Sequence, residues 1–514
     1  MFQRISIAAS ARDVFVASIF CIASALCASG VAQPFAPDLS FGGTGQVTLA
    51  MNAGASTDRH GLAVAPDGKM LIAGICYLPS YAICIVRLLA NGNIDLAFAI
   101  NGKLSIPSNK YGGLAGVVLQ RDEKILVTAR CTYADTNIIA VCFHRFHANG
   151  TIDTSFGSNG LTEVTVPNRS PYMSGRVTLS GDGKAVISGI CSGVGDDQRF
   201  CAIRLLDSGT PDPNFGNNGV SVIAFPPNVY YQERATHVRQ SDGEIVISGQ
   251  CGLQPSLAHV PCLSRLTEAG LIDESFGTLG HTVMSPAAVQ TATLFTEAQD
   301  LLLRPDGSFL LLNNYGNIFG KISFFAFTRN GLLDISFGTA GRQIHDVAGN
   351  SYSFRFEPQL DGRVVVFGRC ADANFNSFAC LSRFNADGTI DATFPITSTI
   401  TSALGYDTRM LMLQADGKIV IAGACNPGGS AESVYEFCAA RFSGGPLDSN
   451  RCTGDIDGDG VINGNDSLLL ARVSLGLTGN AVTQGLSFAP HATRKSWIEL
   501  RNYLFNHCAM AVSP

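Results

Sequence analysis

Charge is scarce in this chain, and that scarcity excludes several functions at once. Of 514 residues only 15% are charged, with a formal net charge of −6. No basic excess is available to meet a phosphate backbone, so nucleic acid is not an expected partner. Catalytic signatures are missing as well. There is no Gly-x-Ser-x-Gly elbow, no His-Glu-x-x-His pair, no phosphate loop, and no dinucleotide fingerprint between a strand and a helix. The nine histidines are scattered without ligand spacing, and there is a single tryptophan. Low charge does not here mean disorder. Hydrophobic residues make up 46% and mean hydropathy is +0.20, which demands a large buried core. The 55 glycines, with abundant Val, Ile, Phe and Thr, favour short strands joined by tight turns.

Residues 1–32 read as a signal peptide. Arg4 and Arg12 form a charged segment, interrupted by an atypical Asp13; residues 14–28 are apolar, and Gly30-Val-Ala32 offers small residues before Gln33. The apolar run falls short of the ~20 residues a bilayer crossing needs, and no other segment is a candidate. Neither Cys21 nor Cys27 follows a Leu-Ala-Gly lipobox. The mature chain is therefore expected to be secreted, extracellular or periplasmic, without a membrane span.

What is abundant is repetition. An Asp followed by Gly or Glu, then a strand-like run, stands at Asp67, Asp122, Asp182, Asp242, Asp306, Asp361 and Asp416, at steps of 55, 60, 60, 64, 55 and 55 residues. A second signature, Asp-x-x-Phe, runs in phase at Asp38, Asp95, Asp153, Asp212, Asp273, Asp334 and Asp391, usually followed by Gly. The first unit parses into four strands, at 60–65, 69–76, 83–89 and 102–107, with a Pro-Asp-Gly hairpin turn between the first two. The second strand is apolar on consecutive residues, as in Met70-Leu-Ile-Ala, which fits a strand covered on both faces. Four-stranded units of this length predict an all-β fold, a seven-bladed β-propeller of antiparallel blades. A parallel β-helix is the alternative, against which the Asp-Gly hairpins weigh. The last unit ends at its third strand, 438–442, while 46–50 precede the first hairpin; the N-terminal strand is thus expected to complete blade seven and leave no open edge.

These motifs resemble the delta-60 repeat family, a bacterial repeat written Asp-x-Ser-Phe-Gly, then Gln/Pro-Asp-Gly-Lys, then a strand ending in Ala-Gly. The resemblance covers residues 38–445 and all seven units. It implies an exported, propeller-like array and brings no catalytic residues with it. Unit five departs from the pattern, since Asp306-Gly-Ser-Phe-Leu-Leu-Leu-Asn lacks the Ala-Gly ending, and in unit seven Pro395 follows Phe394.

Cysteines follow the repeat. Nine residues after the hairpin Asp stand Cys76, Cys131, Cys191, Cys251, Cys370 and Cys425, and 8 to 13 residues further stand Cys84, Cys142, Cys201, Cys262, Cys380 and Cys438. The second cysteine usually lies three before an arginine. Each pair falls across the hairpin between strands two and three, where a disulfide can close. Zinc is the competing reading, but pairs lacking His and Cys-x-x-Cys spacing are poor zinc sites. In an exported chain six within-blade bridges are expected. Unit five has Tyr315 and Ser323 at these positions, and its Phe324, Phe325 and Phe327 are expected to fill the core rather than contact a ligand.

Propellers often bind at the mouth of the central channel, which the first strand of each blade lines. Those segments carry Arg59, His60, Arg176, Arg234, His237, Arg239, Arg304, Arg355 and Arg409 against Asp58, Glu233, Glu297, Asp300, Glu357 and Asp407. The balance predicts a solvated, ion-paired rim. The repeated aspartates are not catalytic candidates, because an active site occurs once and a turn-forming Asp is needed in every blade. A carboxylate cluster confined to one or two blades would point to a hydrolase; a symmetric rim would point to binding.

The tail, 452–514, follows a linker at 446–451 and holds Asp455-Ile-Asp-Gly-Asp-Gly-Val-Ile-Asn-Gly-Asn-Asp466. Asp455, Asp457, Asp459, Asn463 and Asp466, with the Val461 carbonyl, offer the oxygen-rich alternate positions that one Ca2+ requires. The segment resembles a dockerin type I calcium repeat over residues 454–476. Dockerins carry two such repeats and use both to present a cohesin-binding surface. Here residues 493–508 read as a helix with no second loop, which weighs against a cohesin-type partner. Cys452 and Cys508 are placed to clasp this small unit. The chain is therefore expected to be a binding or surface-interaction protein for an unknown protein or glycan ligand. A carbohydrate-active or other hydrolase is the alternative, and a purely structural surface repeat protein is a third reading.

Overall fold

The architecture was examined in a computed structural model. It describes residues 36–508 except 50–53, 56–60, 66, 79, 108–109, 134, 196, 241, 256–257, 286–295, 316–320, 347–351, 360–361, 372–376, 395–396, 401–406, 415–416, 426–435, 445–455, 459–462, 476 and 490–491. The expected signal peptide lies outside these residues. Among the described residues no helix is long and apolar enough to cross a membrane.

Seven antiparallel sheets form a β-propeller. Blade one has its first strand in two pieces, Gly54–Ala55 and Gly61–Val64, followed by Met70–Leu78, Ser80–Leu88 and Lys103–Pro107. Blade two runs Tyr111–Leu119, Ile125–Tyr133, Ile138–Phe146 and Leu161–Thr165; blade three runs Ser170–Leu179, Ala185–Ser192, Gln198–Leu205 and Val220–Ile223. Blades four to six begin with Val229–Arg239, Thr296–Leu303 and Tyr352–Pro358. Blade seven takes Asp407–Leu413, Ile419–Cys425 and Glu436–Phe442 from the end of the repeats and Gln46–Leu49 from their beginning, with Val47 opposite Ala439. The ring is thus closed by hydrogen bonds between the two ends of the repeat array, as the sequence predicted, and that sheet edge is not left open. The middle strands are buried on both faces between neighbouring blades; Ile419–Cys425 is buried at every position. That burial explains their unbroken apolar runs.

The repeated aspartates build one device over and over. In blade three Asp212 Oδ2 accepts from Arg204 Nε at 2.9 Å, and Oδ1 accepts from the Asn214 amide at 2.9 Å. The guanidinium lies over the Phe215 ring, 4.4 Å from its centroid, and donates to the Glu268 carbonyl of blade four. The same clamp joins Arg87–Asp95, Arg145–Asp153, Arg265–Asp273, Arg383–Asp391 and Arg441–Asp38. Burial alone would raise Asp38, Asp153, Asp212, Asp273 and Asp391, but hydrogen bonds and the arginine outweigh it: Asp391 is held down at about 2 by Thr393 and Arg383. Blade five lacks the arginine, having Ala326 at that position. There Arg304 comes from the preceding turn, lies 5.1 Å from the Phe337 centroid, and donates to the Ala386 carbonyl of blade six at 3.1 Å.

Five of the six expected disulfides are formed: Cys76–Cys84, Cys131–Cys142, Cys191–Cys201, Cys251–Cys262 and Cys370–Cys380. Each spans a diagonal of the ladder, so that Cys191 faces Arg199 while Cys201 faces Gly189. The sixth expectation is corrected. Cys425 and Cys438 share the same diagonal but stand as buried thiols, each donating to a backbone carbonyl across the ladder, Glu436 and Gly423 respectively. In blade five Ser323, at the second cysteine position, instead accepts from Nδ2 of the directly opposite Asn313 at 3.3 Å, and Phe324, Phe325 and Phe327 are buried.

The tail packs helices α1 (Gly464–Ser474), α2 (Asn480–Thr483) and α3 (Trp497–Cys508) around Ile456, Leu469, Val473, Val482, Leu500, Tyr503 and Leu504. Helix α3 starts later than the sequence suggests. Its cap is Ser496, whose amide and hydroxyl donate to Glu499, while Thr493 and Arg494 are engaged with the acidic loop.

Candidate functional site in the central channel

The first strands of the blades contact one another in order around the axis, the seventh meeting the first, and so line a channel. In blades two to seven each is irregular there. Register shifts fall between Met173 and Val177, Ala298 and Asp300, Ser353 and Arg355, and Thr408 and Met410, and two occur in each of blades two and four. A bulge breaks the in–out alternation and re-aims the side chains beside it. Arg176 lies within one such shift, and Asp300 and Arg355 directly follow two others.

These bulges bring distant repeats together. Asp300 of blade five accepts from Arg176 of blade three at 3.2 Å and from Arg355 of blade six at 3.4 Å. Arg176 also pairs with Glu357 of blade six at 3.4 Å. The Leu301 amide donates to Asp300 Oδ1 at 3.1 Å, and Thr236 of blade four reaches the same oxygen at 3.5 Å. Access divides the group sharply. The Asp300 side chain is 0% exposed, whereas Arg176 and Glu357 are 26% and 25% exposed.

Electrostatics follow from that enclosure. Burial, reinforced by nearby Asp300, raises the Glu357 carboxyl, although Arg176 and Arg355 oppose it. Burial pulls Arg355 down against the attraction of Asp300, while Asp300 chiefly drives Arg176 up against burial. His237 is spoken for: its two ring nitrogens meet Thr178 Oγ1 and Ser188 Oγ, each at 2.8 Å. Burial first, then Arg176, lowers it to about 3, so the ring is neutral.

The sequence therefore named the right titratable residues and predicted that they pair, but not how they pair. A solvated rim was expected; four of them form a cross-channel network around a buried carboxylate. Arg304 belongs to a blade clamp rather than the channel. Asp58, Arg59 and His60 lie outside the described residues, as do the side chains of Glu233, Arg234, Glu297, Asp407 and Arg409. Thr236 was missed, because a channel-facing threonine in a strand carries no signal in sequence.

Of the calcium-loop positions, Asp455, Asp459 and Val461 lie outside the described residues, as does Cys452 of the proposed clasp. Asp457 and Asp466 are both buried. Asp466 accepts from the Ile456, Asp457 and Asn463 amides, and Asn463 caps helix α1 by accepting from the Asn465 amide at 2.7 Å. A carboxylate has roughly four lone-pair sites, so Asp466 retains capacity for a hard cation, and an all-oxygen donor set fits calcium. Among the described residues no cluster of three or more His, Cys, Asp or Glu is poised around a metal position.

No curated protein matches the chain in sequence. Solved structures resemble it at low identity. A polysaccharide lyase of family PL25, an ulvan lyase, gives a TM-score of 0.45 at 9% identity over 76% of this chain and 95% of its own. The α-L-arabinofuranosidase Arb93A from Fusarium graminearum gives 0.38 at 11%, over 69% and 97%. The β-propeller domain of the Trilobed protease from Pyrococcus furiosus gives 0.39 at 10%, over 76% and 95%. Likenesses this distant carry no reading of activity. In sequence, residues 65–98 and 359–394, within the first and sixth repeats, match the family described as a domain of unknown function (DUF5122) beta-propeller.

Proposed function

We propose that this chain is an exported β-propeller of the delta-60 type that binds a ligand at its central channel through Arg176 and Glu357. Its tail is a dockerin-like module stabilised by one calcium ion. The observation that carries this reading is the division of access in the channel network. Hydrolysis by paired carboxylates needs two that reach the substrate, one as acid and one as base or nucleophile. Among the described channel residues, Asp300 has no exposure and is committed to two arginines, and this network presents one accessible carboxylate ion-paired with one accessible arginine. Such a pair presents an acceptor and planar donors side by side, suited to a hydroxyl-rich or acidic glycan.

The hydrolase reading has one observation in its favour: Asp300 and Glu357 sit on adjacent blades, and Glu357 is raised as a general acid would be. A glycan array probed with the oxidised, secreted protein separates the two. Binding is expected without release of reducing ends, and is lost in Arg176→Ala and Glu357→Gln. Turnover of any glycan that Glu357→Gln abolishes would overturn the binding assignment. For the tail, calcium titration of the full chain should protect α1 and α3 from hydrogen exchange; no change at millimolar calcium removes the metal from the proposal.

A further inference from the structure

One interblade groove holds a cavity beside a clamp arginine. Where blades seven, one and two meet, a partly open cavity of 390 Å³ is lined by Val64, Leu71, Arg87, Gln120 and Met412, with Ile498 and Arg501 of helix α3 at its edge. The repeat explains the opening. The position just before the hairpin turn holds Gln120, Ser180, Gln240, Arg304, Gln359 and Gln414 in blades two to seven, but Ala65 in blade one. In blades four and six that glutamine accepts from the clamp arginine: Arg265 to Gln240 at 3.4 Å and Arg383 to Gln359 at 3.3 Å. A second deletion coincides. The residue two after the corner Asp is Ser40, Ser155, Asn214, Ser275, Ser336 or Thr393 elsewhere, and Ala97 here. In three other blades it is a partner: Arg441 donates to Ser40 at 3.0 Å, Arg265 to Ser275 at 3.1 Å and Arg145 to Ser155 at 3.5 Å.

Arg87 therefore keeps Asp95 and the Ala148 carbonyl but has neither the glutamine nor the serine. Its side chain is 15% exposed, against 2–6% for the other five clamp arginines. From the tail, Arg501 brings a buried Nε that has no hydrogen-bond partner, and its contact with Glu123 is 3.9 Å. Gln120 is 92% buried, and its Oε1 is likewise unmatched while its Nε2 donates to Asp207. Of the other charges at the cavity, Asp67 is taken by Lys69, and Arg121 lies near Glu499. Arg87 and Arg501 thus both line a space whose remaining wall mixes aliphatic side chains with Asp67, Lys69, Gln120, Arg121 and Glu123. A buried donor without an acceptor is costly, as at Arg501 Nε, and Arg87 is the most exposed of the six described clamp arginines.

We propose that this cavity, apart from the channel, binds a small organic carboxylate with an apolar body, held between Arg87 and Arg501. The volume lies within the range of small-molecule sites. Isothermal titration of the full, oxidised chain with phenylacetate tests it, with phenylacetamide as the neutral isostere. A Kd of about 1 mM or tighter is expected for phenylacetate, and binding at least roughly tenfold weaker for phenylacetamide. Ala65→Gln installs the side chain found in blades two, four, six and seven, and should abolish phenylacetate binding while the melting temperature holds or rises. Ala97→Ser, a smaller change, should weaken it in the same direction, and so should Arg501→Gln. Undetectable phenylacetate binding by the native chain, equal affinity for the amide, or affinity unchanged in Ala65→Gln and Ala97→Ser would each overturn the proposal.

Discussion

Replacing Asp212 by Asn tests whether the repeated aspartates hold the ring together through arginine. Asp212 is fully buried, and Arg204, on the same blade, is 6% exposed. Removing the charge leaves a buried guanidinium between the Phe215 ring and the Glu268 carbonyl with no counter-ion. Breaking a buried pair in this way costs about 3–5 kcal/mol. Blade five supplies an internal control. Asp334 forms the same turn, accepting from the Ser336 amide at 3.1 Å, but Ala326 stands where the arginine would be. Asp334→Asn should therefore lose hydrogen-bond strength and its unbonded attraction to Arg304, about 1–2 kcal/mol in all. With unfolding entropy near 2.1 cal/mol/K per residue over the ~400-residue ring, 3–5 kcal/mol lowers Tm by about 4–6 °C. Calorimetry on both variants with disulfides intact reads the difference. Equal shifts in the two variants, or a shift of about 1 °C for Asp212→Asn, would refute the clamp as the origin of the repeated Asp.

Further outcomes follow from the same packing. Arg304→Met should cost about 1–2 kcal/mol at the junction of blades five and six, and Ala326→Arg in that background should recover it by pairing with Asp334, as urea midpoints will show. The folded pKa of His237 is lowered to about 3, against an unfolded value near 6.5; its contribution to stability is whole above ~6.5 and is lost as pH falls toward 3, so His237→Gln should flatten the stability profile in that window. Asp391 shifts in the same sense at lower pH: held at about 2, it contributes above the unfolded value near 3.9 and loses that contribution as pH falls through 2, so Asp391→Asn should remove acid sensitivity there. Alkylation of the unfolded, unreduced protein followed by peptide mass spectrometry should find five within-blade bridges and label on Cys425 and Cys438; in the native protein both should resist labelling, since burial pushes the Cys438 thiol well up and hides it.

Much of the fold was legible because a repeat states its rule seven times. The Asp-Gly hairpins, the Asp-x-x-Phe corners and the doubly covered second strands are local patterns whose spacing specifies a blade, and a fourth strand missing at one end and present at the other specifies closure. The cysteines obeyed the same logic in five blades. In the seventh, the choice between a bridge and two thiols depended on sulfur positions across a ladder, which spacing does not fix. The clamp was half visible: the arginine three after the second cysteine and the aspartate of the corner each recur, yet nothing in their separation says that they meet over a phenylalanine. In the channel the sequence supplied Arg176, Asp300, Arg355 and Glu357 as candidates and could not join them, because residues 124 and 181 apart meet only once the ring has closed. Bulges decide which of their side chains turn inward, and bulges leave no compositional trace. The cavity beside Ala65 lies between these cases. Both alanines are plain departures from the repeat, but only the ring and the tail helix together turn two missing side chains into a cavity lined by two arginines.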